Sequence, residues 1–381
     1  MNWENTSPVN TNLIQEKPLV LPRFEENRLP KDGISAFLNR QAWYIRLTNK
    51  EYWNANIFFI PLAFYIVYLA IKARSALFFS AANPAIPTGG LVGESKEDIS
   101  KLIPPPYRPK TITLKPGDTL WDIRPKMERA QLVFPVIIKP VVGCRGMMVK
   151  KVLSITDILT HLHEYDTNFL LEEYIDYPVE GAILYWKNPE TGESDVQSVT
   201  LKEFLSVKGD GMSTVKDLLM QNPRGVLQVN RLQKEEPHLM ASIPQYNEQI
   251  TVEPIGNHCR GTKFLNYNYL INQNMVQAYD KIQEDLQGFY VYRLDVKAPS
   301  IADLQAGRNI KILEINGVGA DPAHIFAPYT PLFEMFHAYI RLWKKVYEVA
   351  TALHQQGTPY MTYKEFRKYA AQQSAVQSLM D

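Results

Sequence analysis

Two runs in the last third of the chain, "GFYVYRLDVKA" (288–298) and "NIKILEING" (309–317), constrain the fold more than any other feature. Both read as buried strands, along which side chains alternate between faces. Arg293 and Asp295 therefore share one face, and Glu314 and Asn316 share one face of the second run. Leu294, Val296, Leu313 and Ile315 fill the opposite faces. If the strands pair, one side of a sheet displays an arginine, two carboxylates and an amide. Asp295, Glu314 and Asn316 would offer three hard oxygens, which suit Mg²⁺ because it takes carboxylates plus substrate phosphates and keeps some water. Arg293 would stabilise negative charge developing beside the metal. The competing reading is a salt-bridged surface face, and the apolar flanks of both runs count against it.

A second stretch, "FPVIIKPVVGCRGMMVKKV" (134–152), ends an apolar strand on Lys139 and continues into a loop holding Gly143 and Gly146. Glycine serves where the backbone must bend freely or come close to something. A cation beside exposed N–H groups suits an anion, most often a phosphate. A hairpin with a snorkelling lysine would have the same sequence, so this segment alone leaves both readings open.

With 381 residues the chain can build one large multi-lobed domain with extensions. Its 41 basic and 40 acidic residues nearly cancel, which argues against a general nucleic-acid binder needing an excess of cations. The two cysteines, Cys144 and Cys259, lie far apart and outside any zinc-ligand spacing. No basic segment followed by an apolar run opens the chain, so no secretory signal is expected and a reducing cytoplasmic setting is. One segment strains that picture. "IFFIPLAFYIVYLAI" (57–71) is apolar on every face and flanked by Trp53, Lys72 and Arg74. As a helix it is short for a hydrocarbon core of about 30 Å, while its flanks suit a membrane interface. A buried helix, an in-plane contact over 57–79 and a true span all remain open.

The remaining pattern is a mixture of helices and strands. Helices are predicted over 119–132 after a Thr119 cap, 154–165, 214–221 after Ser213 or Thr214, 270–287 and 331–354, with one more in the tail. Strands are predicted in "NFLLEEYI", "EGAILYW" and "VQSVTLKEFLSVK" between 168 and 208. Residues 78–96 and "PPPYRP" (104–109) read as connectors. The fold class is α+β, with antiparallel strands clustered in the middle and later parts.

In chain order, Lys139 with its glycine loop, "EEYI" with Glu180 behind it, "GDGMSTV", "RLD" and "EIN" resemble the ATP-grasp superfamily over roughly 91–330. The likeness is strongest to carboxylate–amine ligases such as D-alanine–D-alanine ligase and cyanophycin synthetase. It implies two α+β lobes holding ATP between them, a glycine-loop lobe near 108–205 and a metal-binding lobe near 206–345. An arm over 1–90 and a helical tail over 346–381 would flank the domain at 91–345. It also implies ATP and two Mg²⁺ ions, with Mn²⁺ as a substitute. The reaction would join a small-molecule or peptide carboxylate to an amine through an acyl phosphate. A phosphotransferase on the same fold, or a nucleotide-binding scaffold without turnover, is the alternative.

Residue by residue, the resemblance implies that Lys96 and Lys139 bind phosphates and that Gly143 and Gly146 form a lid over them. Glu172 or Glu173 would meet the adenine, Glu180 the ribose, and Lys202 the γ-phosphate. Arg293 would steady the acyl phosphate and the tetrahedral intermediate, and Asp295, Glu314 and Asn316 would be the metal ligands. The lid departs from the pattern, carrying Cys144, Arg145 and two methionines where small residues are usual. The segment before residue 91 does not resemble a ligase substrate lobe, so no substrate is implied.

Other motifs stay open or fail. "GGLVGESK" lacks the glycine spacing of a Walker A loop. "GNHCRG" (256–261) offers His258 and Cys259 as a nucleophilic pair, Arg260 as an anion contact, or an ordinary loop. "ADPAHIF" sets Asp321 and His324 beyond the second strand, near an acceptor or merely at a helix start. His161 and His163 fall on different helix faces and read as structural.

Overall fold

The computed structural model describes residues 37–378 apart from 39, 54, 144 and 145. Most of the expected arm, and Cys144 and Arg145 of the glycine loop, lie outside the described residues. The helices are α1 Ala42–Thr48, α2 Ala55–Ala73, α3 Lys96–Leu102, α4 Leu120–Ala130, α5 Ile155–Glu164 and α6 Val215–Leu219. They continue with α7 Pro223–Glu235, α8 Pro237–Ala241, α9 Gln273–Asp285, α10 Ile301–Gln305, α11 Leu332–Gln355 and α12 Tyr363–Ser378. The strands are β1 Thr111–Leu114, β2 Val136–Pro140, β3 Lys150–Val152, β4 Phe169–Glu173, β5 Val179–Lys187 and β6 Ser194–Glu203. The rest are β7 Ser206–Lys208, β8 Gln249–Thr251, β9 Lys263–Asn266, β10 Val291–Ala298 and β11 Lys311–Asn316.

Three antiparallel sheets result, making the chain α+β. A four-stranded sheet runs β1-β4-β2-β3, a five-stranded sheet runs β11-β10-β5-β6-β9, and β7 pairs with β8. The run expected as one strand over 196–208 is broken after Glu203. Its first part joins β5 and β9, and its second part turns away to pair with β8. In the large sheet β5 is buried along all but its last residue, which explains why "EGAILYW" carries almost no polar alternation. The β10–β11 register sets Arg293 opposite Asn316 and Asp295 opposite Glu314.

Local chemistry fixes the helix starts. Thr119 with Asp122, Ser154 with Asp157, and Thr214 with Asp217 each form a capping box, satisfying N–H groups that the first turn leaves without partners. Of the two residues that could have capped α6, Thr214 does so. α11 buries Met335, Ala338, Leu342, Val346, Val349 and Leu353, a spacing of three and four that makes one stripe against the five-stranded sheet.

The segment 78–96, expected to be a connector, is held inside the molecule by Asn83. Its side chain is fully buried. It donates to the Gly89 and Val291 carbonyls, both at 2.8 Å, and accepts from the Tyr290 and Val291 N–H groups. This one amide therefore ties the turn to the start of β10. The Val318 and Gly319 N–H groups then bond the Gly89 and Gly90 carbonyls. The result carries Glu94, Ser95 and Lys96 over the end of β11.

Candidate active site

Between the four-stranded and five-stranded sheets lies a cleft of about 900 Å³. Arg293, Lys202, Lys96, Lys139, Gly143, Gly146, Glu172, Glu173, Glu180, Asp295, Glu314 and Asn316 all line it. The sequence had spread these residues over more than two hundred positions, and the two sheets bring them together.

The charged groups are matched in pairs. Lys139 leaves β2 and reaches into the cleft, where its ammonium is 2.7 Å from Glu172 of β4 and 3.3 Å from the Leu313 carbonyl of β11. A lysine bridging two sheets is not a snorkelling surface side chain. Lys96 begins α3, which Ser95 caps, and its ammonium pairs with Glu314. Lys202 lies between Glu180 at 3.0 Å and Asp295 at 3.1 Å. The Arg293 Nε donates to Asp295 at 2.8 Å, and Nη1 donates to the Asp321 carbonyl at 3.2 Å. Burial works against the Asp295 carboxylate, but the Arg293 and Lys202 charges override it and hold its pKa down at about 2. Burial likewise opposes the charged forms of Lys96 and Glu314. Their mutual attraction leaves the lysine raised and the carboxyl lowered.

The two candidate acids of the hinge strand separate clearly. Glu172 is buried on Lys139, whereas Glu173 is only partly buried and accepts from the Lys110 N–H at 3.2 Å. Glu180 packs against Gly256 so closely that a Cβ there would overlap its Oε1.

The loop motifs resolve differently. Arg260 is not available as an anion contact. Its guanidinium is bound by Glu253 at 2.8 Å and Glu235 at 3.3 Å, and donates to the Gly146 carbonyl at 3.1 Å. Arg260 thus props the glycine loop. His258 lines the cleft, 3.5 Å from Glu51, and packs its ring on Tyr52, Phe264 and Phe326. Cys259 also lines the cleft, and its carbonyl accepts from Gln228. Asp321 lines the cleft and accepts from the Tyr339 hydroxyl at 2.7 Å. His324 turns away into the interior and meets Ser198 at 2.7 Å. His161 is structural, with Nε2 on the Met148 carbonyl.

Several lining residues carried no motif. Glu51 and Tyr52 form a short turn before α2 and reach the cleft, where Glu51 pairs with Arg224. Glu94 is a further carboxyl on the wall, and burial, reinforced by the Glu314 charge, pushes its pKa up to about 7. Lys297 continues the Arg293–Asp295 face of β10. Strand alternation could have found Lys297, but nothing local marks Glu51 or Glu94.

The lining carries eight carboxyl groups, Glu51, Glu94, Glu172, Glu173, Glu180, Asp295, Glu314 and Asp321, of which Glu94 is only partly ionised near pH 7 and Glu51 is held by Arg224 from outside the lining. Against them stand six permanent cations, Arg46, Lys96, Lys139, Lys202, Arg293 and Lys297. The Asn316 Nδ2 is buried and has no hydrogen-bond partner among the described residues. Asp295 and Glu314, facing each other across β10 and β11 beside an unsatisfied amide, fit a divalent cation, for which the amide would turn its oxygen inward. Among the described residues no group of three His, Cys, Asp or Glu side chains is placed to hold a metal.

Some solved structures bear a partial likeness to the chain. The chain is structurally similar to ATP-grasp ligases at low sequence identity. The VanG D-Ala:D-Ser ligase from Enterococcus faecalis is 14% identical with a TM-score of 0.39, over 70% of this chain and 64% of that one. The D-alanine–D-alanine ligase from Bacillus anthracis in complex with ATP is 16% identical with a TM-score of 0.38, over 69% and 68%. The bifunctional glutathione synthetase from Pasteurella multocida is 17% identical with a TM-score of 0.37, over 69% of this chain and 38% of that one. No family model matches the chain, and no curated protein matches it in sequence.

Proposed function

We propose that this chain is an ATP- and Mg²⁺-dependent carboxylate–amine ligase that forms an amide or peptide bond through an acyl phosphate. The observation that carries the reading is the convergence of Lys96–Glu314, Lys139–Glu172, Lys202–Asp295 and Arg293–Asp295 pairs in one cleft between two sheets. A buried ion pair is a weak source of stability, because desolvation offsets much of its attraction. Such pairs are well suited to exchange partners, each half meeting an opposite charge brought by a ligand. A bare polyphosphate would face the carboxylates of these pairs, whereas a nucleotide carrying divalent cations supplies both signs. Asp295, Glu314 and Asn316 would hold Mg²⁺ or Mn²⁺, which would neutralise phosphate oxygens when bound.

In this reading Lys96 and Lys139 bind phosphate oxygens, and Lys202 approaches the γ-phosphate. The loop at Gly143 and Gly146 closes over them, and Arg260 supports it from behind. Glu180 takes the ribose, β4 takes the adenine, and Glu172 orients Lys139. The carboxylate substrate attacks the γ-phosphorus and ADP leaves. The amine then attacks the acyl carbon and phosphate leaves. Arg293 stabilises the charge on the acyl phosphate and on the tetrahedral intermediate, so the protein contributes alignment and electrostatics rather than a covalent nucleophile.

The test is an ADP-release screen over amino acids, peptides and polyamines with Mg-ATP, with product mass determined. A new amide supports ligation, and a phosphorylated product makes the chain a phosphotransferase. No turnover and no ATP binding would overturn the reading. Asp295→Ala or Glu314→Ala is expected to abolish turnover with the fold retained by circular dichroism, and near-normal turnover would refute the metal assignment.

A further inference from the structure

We propose that α2 docks in the plane of an anionic lipid surface, with Ile60, Phe64, Val67 and Ile71 seated at the interface. These four side chains are 67%, 78%, 56% and 71% exposed. Their spacing of four, three and four residues places them on one face of the helix. The opposite face is already used, since Leu62 and Leu69 are each 2% exposed and pack with Trp343 and Val346 of α11. The helix is therefore apolar on both sides while protein covers only one among the described residues. An ordinary surface helix carries charge on its outer face, and here none appears before Lys72.

Charge decides the occupant. Residues 40–74 contain Arg40, Arg46, Lys50, Lys72 and Arg74 against a single acid, Glu51; Arg46 lines the cleft and Lys50 donates to the Thr330 carbonyl, which leaves Arg40, Lys72 and Arg74 for the surface. That acid is already held by Arg224. The whole chain carries 41 basic and 40 acidic residues, so this segment concentrates cations that the rest of the molecule balances. Lys72 closes the stripe with its ammonium over the Tyr68 and Tyr347 rings. On α1, Trp43 and Leu47 add a second exposed apolar pair, one turn apart, at 60% and 64%. Aromatic and cationic side chains around an apolar face match the headgroup boundary of an anionic bilayer. A second copy of this chain would bring the same cations to the contact, with no acid on the stripe to meet them.

The helix lies on the bilayer and does not cross it. Among the described residues no helix is long and apolar enough to cross a membrane, and the inner face of α2 is committed to α11. The turn holding Glu51 and Tyr52, which lines the cleft, ends three residues before α2 begins. Docking would thus set the mouth of the cleft near the lipid surface. The inference does not depend on the ligase reading.

The experiment is co-sedimentation of the full chain with vesicles of equimolar phosphatidylglycerol and phosphatidylcholine, and with phosphatidylcholine alone. Binding to the anionic vesicles is expected, weakened by salt. Phe64→Glu/Val67→Glu should abolish it, and Lys72→Gln/Arg74→Gln should lower the affinity roughly thirtyfold. All four sites are on the outer surface, so far-UV circular dichroism and thermal unfolding should match the wild type. Wild type left in the supernatant with both vesicles would overturn the proposal. So would equal binding by Phe64→Glu/Val67→Glu, or a dimer by light scattering that this variant dissociates.

Discussion

Lys139 and Arg293 sit on different strands and face the same cleft, yet they are expected to fail in different ways when changed. Among the described residues Lys139 pairs directly with one acid, Glu172, and its task in the proposed reaction is to meet a phosphate. Lys139→Ala should therefore weaken ATP binding by about 1.5–3 kcal/mol, the usual worth of a charge-assisted hydrogen bond. Unchanged affinity by calorimetry would remove it from the phosphate site. Arg293 is fixed from two sides, by Asp295 and by the Asp321 carbonyl. A guanidinium presents planar paired donors that a lysine cannot reproduce. Arg293→Lys should lower kcat on the order of 10²-fold with little change in ATP affinity. The opposite split, weaker ATP binding with kcat preserved, would make Arg293 a nucleotide anchor and favour simple phosphate transfer.

Among the elements, the loop between β8 and β9 matters most to the cleft, because its glycine lets the chain pass against Glu180. A Cβ at Gly256 would overlap the Glu180 carboxylate and crowd Lys202. Gly256→Ala should displace Glu180 from Lys202 and cost about 1–3 kcal/mol of stability, as overpacking usually does, measured by urea denaturation. ATP affinity should fall with it, and an unperturbed variant would show that the loop can move aside. The sequence marked this loop by its His-Cys-Arg cluster, whereas its structural work is done by Gly256 and Arg260. Nothing local could reveal that Arg260 faces Glu253 and Glu235 rather than a ligand.

For the whole molecule, the interior sets an acid limit through His324. The ring is fully buried, bonds Ser198 through Nδ1, and leaves Nε2 without a partner among the described residues. Burial, with a smaller contribution from Arg341, pushes its pKa from 6.5 down to about 4. The folded state then keeps His324 neutral while the unfolded chain takes up the proton, so stability falls as pH drops from about 6.5 to about 4. The loss should reach about 3 kcal/mol. Below that window both states are protonated and this contribution changes no further. Urea midpoints at about pH 7 and about pH 4.5 should differ clearly in the wild type and much less in His324→Asn. An equal difference in both would clear His324 of the effect.

Alternation along 288–298 and 309–317 was enough to put Arg293 with Asp295 and Glu314 with Asn316, because strand geometry alone dictates which side chains share a face. Capping residues likewise marked the starts of α4, α5 and α6 within a residue or two, since a cap acts on its own first turn. What alternation cannot supply is the partner across space. That Lys96 meets Glu314 depends on Asn83 tying a glycine-rich turn to β10, and that Lys139 reaches β11 depends on how two sheets face each other. The inner side of α2 and its bare outer side are both apolar, so only the packing of α11 could tell them apart. Local sequence sets local geometry through sterics and hydrogen bonding, whereas the pairing of distant charges and the choice of exposed face belong to the packed chain.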